Sequence, residues 1–124
     1  MPNFNNLDLG KWKELEVWTD SLWIIPERNK SGKHNGFYHG NFVPQIPHQL
    51  ILRYSKKDEV VFDPFVGSGT TAYETESLGR NFIGIDIQPE LIKQIKEIIL
   101  FAGKAQHSIW ICVDIGMLVL HRIE

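Results

Sequence analysis

Val60-Val61-Phe62-Asp63-Pro64-Phe65-Val66-Gly67-Ser68-Gly69-Thr70-Thr71 is the stretch on which the fold turns. A compact β-branched and aromatic run leads through an acid and a proline into paired glycines. The pattern reads as strand, tight turn, helix. Gly67 and Gly69 carry no Cβ, so the backbone can bend sharply and a ligand can approach the main chain closely. The helix that follows, expected over residues 70–78 with Gly79 as its C-terminal cap, presents unpaired N–H groups at its start. Together with the hydroxyls of Ser68, Thr70 and Thr71, those groups suit a polar or anionic part of a nucleotide-like ligand.

Working downstream, residues 81–85 (Asn-Phe-Ile-Gly-Ile) make a second buried strand that ends at Asp86. Pro89 opens another helix, in which Leu91, Ile92, Ile95, Ile98, Ile99 and Ala102 share one face and Gly103 supplies the stop. Residues 108–113 form a third apolar strand, ending at Asp114. The order βαβαβ implies a parallel sheet with right-handed crossovers, an α/β fold.

Upstream, residues 36–47 alternate aromatics with glycines and prolines, which predicts a shaped loop. Pro47 suits the first turn of a short amphipathic helix with Leu50, Ile51 and Tyr54 on one face. Residues 21–25 read as a short strand closed by Pro26, followed by a charged surface loop over residues 27–34. Residues 1–17 are polar with scattered hydrophobics, an irregular N-terminal arm that packs through Trp12 or Trp18. The chain thus divides into an arm and loop over residues 1–35 and a ligand-binding unit over residues 36–124.

At 124 residues and 14.3 kDa the chain is one domain or part of one, which excludes a two-domain enzyme. With 43% hydrophobic and 11% aromatic residues it can build a core, so disorder is not the default. A formal charge of −2 argues against a self-sufficient duplex binder, and nucleic acid is expected to be held weakly by this chain alone. Cys112 is the single cysteine, which excludes an internal disulfide and a cysteine-held zinc. It lies between Ile111 and Val113 and reads as an inert core thiol rather than a nucleophile. No apolar run approaches the length of a membrane span and the N-terminus lacks the order of a secretion signal, so a cytoplasmic location is expected.

Asp86 stands 17 residues after Gly69 at the end of the neighbouring strand, where a carboxylate can accept hydrogen bonds from both ribose hydroxyls. That pairing predicts an adenosine-containing cofactor. The dinucleotide fingerprint is incomplete, because Ala72 occupies its third glycine position. Asp63, just before the turn, would repel a pyrophosphate and welcome an ammonium group. S-adenosylmethionine offers both an adenosine and an α-ammonium, so it is preferred over NAD. Set against this, Asp63 could simply shape a structural turn and Asp86 could be a solvated acid at a strand end.

Other chemistry lacks its residues. There is no Gly-x-x-x-x-Gly-Lys-Ser/Thr phosphate loop, and Val66 stands where a serine nucleophile elbow requires glycine. His34, His39, His48, His107 and His121 show no metal-binding spacing and read as surface or loop residues, so no metal site is expected. Trp23 and Trp110 lie in apolar runs and read as core residues rather than base-stacking platforms.

Three segments in order resemble the DNA amino-methyltransferases, restriction-modification enzymes that methylate the exocyclic amine of adenine or cytosine. Residues 63–71 resemble their cofactor motif, residues 79–86 (Gly-Arg-Asn-Phe-Ile-Gly-Ile-Asp) the strand after it, and residues 39–47 (His-Gly-Asn-Phe-Val-Pro-Gln-Ile-Pro) the segment before it. The likeness runs over residues 18–90. It implies a partial Rossmann-like, S-adenosylmethionine-dependent methyltransferase fold. It further implies that Asp63 binds the α-ammonium, that Phe65, Gly67 and Gly69 shape the turn, and that Thr70 offers a hydroxyl to the methionine carboxylate, with Ser68 also among the cofactor-binding residues. On the same footing, Asp86 holds the ribose, Ile87 packs on the adenine, and Phe42, Pro44 and Gln45 close the methionine side. Asp114 would accept from the adenine amine.

Members of that family act through an Asn/Asp/Ser-Pro-Pro-aromatic loop that binds the flipped-out base. These 124 residues contain no Pro-Pro pair: residues 117–121 have the character of the preceding strand but run into Arg122-Ile123-Glu124. The expectation is a cofactor-binding portion of a DNA methyltransferase, with no catalytic residue of its own and inactive alone. Its partners would be DNA, through a complete or split enzyme, and a complementary methyltransferase subunit or a second copy. The alternatives are a non-catalytic binding or regulatory module on the same fold, and a small dehydrogenase-like nucleotide binder.

Overall fold

The stretch Val60–Asp63 forms strand β1, and the computed structural model places it at one edge of a four-stranded sheet. The structure describes residues 3–34, 40, 41, 43–101, 109–112 and 121–123. In chain order the elements are α1 (Gln45–Tyr54), β1 (Val60–Asp63), α2 (Thr70–Ser77), β2 (Asn81–Ile85), α3 (Pro89–Phe101), β3 (Ile109–Cys112) and β4 (His121–Ile123). A 3₁₀ helix, Leu9–Glu14, precedes them in the arm. The sheet order is β1-β2-β3-β4. β1 pairs with β2 in parallel with Asp63 opposite Gly84, and β2 pairs with β3 in parallel with Ile85 opposite Cys112.

Two sequence expectations are corrected here. The sheet is not wholly parallel, because β4 pairs with β3 antiparallel. Residues 21–25 form no strand: Trp23 Nε1 donates to the Asp20 carbonyl in a local turn, and Leu22 and Ile24 stay exposed. A short apolar run becomes a strand only where another strand supplies its hydrogen bonds.

The core forms between β2, α2 and α3, where Val66, Ala72, Tyr73, Phe82, Ile92 and Ile95 are buried together and Val61 and Ile98 pack against them. The apolar stripe of α3 supplies Ile92 and Ile95, as its spacing predicts; Ala102 and Gly103 fall outside the described residues. α1 starts at Gln45, so Pro47 sits within its first turn. Its buried residues are Pro47, Gln49 and Ile51, whereas Leu50 and Tyr54 face outward. Gly79 follows α2 with φ of 75°, the left-handed conformation of a helix terminator.

Arg80 is buried where these elements meet. Its guanidinium donates to Ser55 Oγ (3.1 Å), the Ser55 carbonyl (2.8 Å) and the Leu78 carbonyl (2.6 Å), tying the C-terminal ends of α1 and α2 to the start of β2. Burial lowers its pKa, partly opposed by Asp58 and Glu59. Side chains of α1 hold the arm. Trp18 N–H donates to Gln49 Oε1 (2.7 Å), Asn29 N–H to Gln45 Oε1 (3.1 Å), and Arg53 donates to the Trp18 carbonyl. Among the described residues no helix is long and apolar enough to cross a membrane.

Candidate cofactor site

The turn between β1 and α2 is closed by one internal bond and stitched to the end of β2 by two more. Val66 N–H donates to the Ile85 carbonyl (3.0 Å), Gly67 N–H to Asp86 Oδ2 (2.8 Å), and Gly69 N–H to the Val66 carbonyl (3.0 Å). Gly67 and Gly69 take φ of 55° and 87°, values that disfavour any side chain. A Cβ on Gly69 would also stand 2.8 Å from Ile95 Cγ1, so this glycine is demanded twice, by the backbone and by the helix packed against it. Asp86 steadies its own end of the site by accepting from Gln88 N–H at Oδ1 (2.9 Å).

Between the turn and the end of β2 lies a cleft of ≈320 Å³. Phe65, Gly67, Ser68, Thr70, Asp86 and Ile87 line it, joined by Gly40, Asn41, Pro64, Val66, Ile85 and Gln88. Phe65 is 86% exposed and Ile87 74% exposed, so two apolar side chains stand in solvent at the rim of the cleft. Ser68 Oγ is fixed by donation to Asn41 Oδ1 (2.5 Å), which makes residues 40 and 41 the wall facing the turn.

The other residues singled out from the sequence lie elsewhere. Asp63 accepts from Phe65 N–H (2.9 Å) and borders a separate groove between β1 and α1. Pro44 is fully buried, and Gln45 clasps the arm, donating from Nε2 to the Glu27 carbonyl (2.7 Å). Phe42 and Asp114 fall outside the described residues. Sequence reasoning passed over Asn41, although it stands in the quoted 39–47 segment; a polar side chain among aromatics and prolines was the available signal.

Sequence reasoning also missed a cluster behind the turn. His34, read from the sequence as a surface or loop residue, has a side chain only 5% exposed, and its Nε2 lies 2.5 Å from Glu74 Oε1. His48 Nδ1 lies 2.6 Å from Glu74 Oε2, and its Nε2 is 3.2 Å from Glu16 Oε1 in a poorly aligned contact. Burial alone would raise the Glu74 pKa, but the two imidazole hydrogen bonds and their charge outweigh it and bring the carboxyl down to about 2. The hydrogen bond to Glu74 raises the His48 pKa above its ordinary 6.5 against the cost of burial. No group of three or more ligating side chains suited to a metal ion occurs among the described residues.

Kinship follows from comparison with known proteins. The family model described as DNA methylase matches residues 4–97. The chain belongs to the DNA amino-methyltransferase family. It is 40% identical over 97 residues to the Type II methyltransferase M2.LlaDCHI of Lactococcus lactis subsp. cremoris, covering 78% of this chain and 33% of that protein. It is 36% identical over 90 residues to M.HinfI of Haemophilus influenzae, covering 69% of this chain and 25% of that protein. With M.MjaII of Methanocaldococcus jannaschii it shares 34% over 83 residues, 64% of this chain and 16% of that protein. The matched region therefore spans a third or less of the length of these Type II methyltransferases.

Proposed function

We propose that this chain is the S-adenosylmethionine-binding portion of a DNA amino-methyltransferase of a restriction-modification system. The carrying observation is the cleft in which Asp86 and the positive-φ glycine turn face one another. Its volume falls at the lower end of the range for small-molecule sites. Asp86 keeps lone pairs beyond the two it gives to backbone N–H groups, and these accept from the ribose hydroxyls. Phe65 and Ile87 give the adenine apolar faces. Ser68 and Thr70 with the start of α2 offer donors to the methionine carboxylate. The bound cofactor supplies an electrophilic methyl group on a sulfonium; the residues here bind and orient it.

Transfer to DNA needs a loop that binds the extruded base, and no Pro-Pro-aromatic sequence occurs in these 124 residues. We therefore assign that loop and most of the DNA contacts to polypeptide outside them, with this portion inactive alone in the cytoplasm. The edge of β1 is the natural place for that polypeptide: Val60 and Phe62 are each 57% exposed, beside an apolar groove of ≈610 Å³ lined by Leu50 and Tyr54 of α1. Relatives three times the length of the matched region carry enough additional chain to cover it. Amide chemical shifts test the cofactor reading. S-adenosylmethionine should move Gly67, Ser68, Asp86 and Ile87 while NAD leaves them in place; the opposite pattern would return the fold to a dinucleotide binder. The absence of the loop from these residues keeps a second reading, a non-catalytic binding or regulatory module. Tight cofactor binding with no methyl incorporation after adding a loop-bearing fragment would favour it.

A further inference from the structure

The Glu74 carboxylate receives two imidazoles, and those imidazoles lie on either side of the segment that walls the cleft. His34 ends the described part of the arm, His48 lies in α1, and Gly40 and Asn41 stand between them in sequence and in the cleft lining. Both oxygens of Glu74 are used: an ionised carboxylate only accepts, so His34 Nε2 and His48 Nδ1 both donate. Glu74 itself is anchored in α2, one turn beyond the glycine turn. Tyr73 links the two features, meeting the His34 ring edge-on at 5.7 Å and lying 3.2 Å from the place a Gly69 Cβ would occupy.

We propose that Glu74 is a positioning residue for the cofactor cleft, holding His34 and His48, which flank Asn41 in sequence, so that Asn41 stays in hydrogen-bonding reach of Ser68. The inference rests on the cofactor reading given above. A charged donor strengthens the grip, because an imidazolium bonded to a buried carboxylate makes a stronger hydrogen bond than neutral imidazole. The groups facing the cluster are Glu16 from the arm, Lys33 paired with Glu76, Lys57, which lines a pocket together with His34, His48 and Glu74, and Tyr73, whose phenol burial holds up at about 12. Of the group held by Glu74 and Glu16, His48 loses its proton as pH rises through its raised value, and the grip weakens in that direction.

The test is calorimetric titration with S-adenosylmethionine at about pH 6 and about pH 8.5, on the wild type, Glu74→Gln and His48→Gln, with circular dichroism on each. Glu74→Gln should weaken binding roughly tenfold at the lower pH. Wild-type affinity should fall more steeply with pH than that of His48→Gln; the cofactor's own amine titrates alike in both, so the difference belongs to the protein. A folded Glu74→Gln protein with wild-type affinity overturns the proposal, as does an identical pH slope for wild type and His48→Gln. Should Glu74→Gln not fold, the His48→Gln slope decides alone. Absence of wild-type binding at both pH values overturns the cofactor reading and this proposal with it, an outcome distinct from the other two.

Discussion

Gly69 shows how much one position can be asked to do. Its φ of 87° excludes most side chains, and Ile95 Cγ1 occupies the space a methyl would need. Gly69→Ala should therefore destabilise the fold by about 1–3 kcal/mol, read from urea unfolding. Unchanged stability would show that the turn relaxes freely. This glycine was legible because its requirement is local: a strand, a bend and a helix within a dozen residues. Asp86 was legible as a strand-end acid, but its bond to Gly67 N–H was not, since that depends on how two loops meet. Glu74 was invisible. In the sequence Thr-Thr-Ala-Tyr-Glu-Thr-Glu-Ser it looks like a solvated helical acid, and its imidazole partners lie 26 and 40 residues away.

Elements followed the same division between local and distant causes. β1, α2, β2 and α3 could be read from β-branched runs, a helical stripe and glycine stops, all properties of a short window. Residues 21–25 misled because an apolar run says nothing about whether a partner strand exists, and α1 misled because its Leu50 and Tyr54 stripe is exposed in this structure. Arg80 joins α1, α2 and β2 from inside, so Arg80→Ala should leave the Ser55 and Leu78 carbonyls without their donors and cost roughly 2–4 kcal/mol in denaturant unfolding. The link between α1, α2 and the arm carries a pH signature. His48 has its pKa raised on folding, so its contribution is complete below the ordinary 6.5 and is lost as pH rises through the folded value. Glu74, lowered to about 2, contributes above the ordinary carboxylate range and loses that contribution as pH falls toward 2. Thermal unfolding across pH should show both flanks in the wild type and a flatter alkaline flank in His48→Gln.

At the scale of the molecule, the sheet has an open edge at β1 among the described residues, next to the glycine turn. Exposed strand edges bordered by apolar surface recruit further strands. A fragment bearing the Pro-Pro-aromatic loop should bind there, and Phe62→Lys should abolish the complex while leaving cofactor affinity intact. Light scattering on the mixture checks the first and calorimetry the second; a self-associated species would instead make a second copy the occupant. The antiparallel β4 was not legible, because the direction of a short terminal strand is set by pairing rather than by its residues. The central claim concerns the cleft, and one titration addresses it directly: S-adenosylmethionine into the wild type and Asp86→Ala by calorimetry. Micromolar binding that weakens at least tenfold in the variant, about 1.4 kcal/mol or more, is the predicted result. Wild-type protein that binds no S-adenosylmethionine, or binds it equally well without the Asp86 carboxylate, would contradict the account.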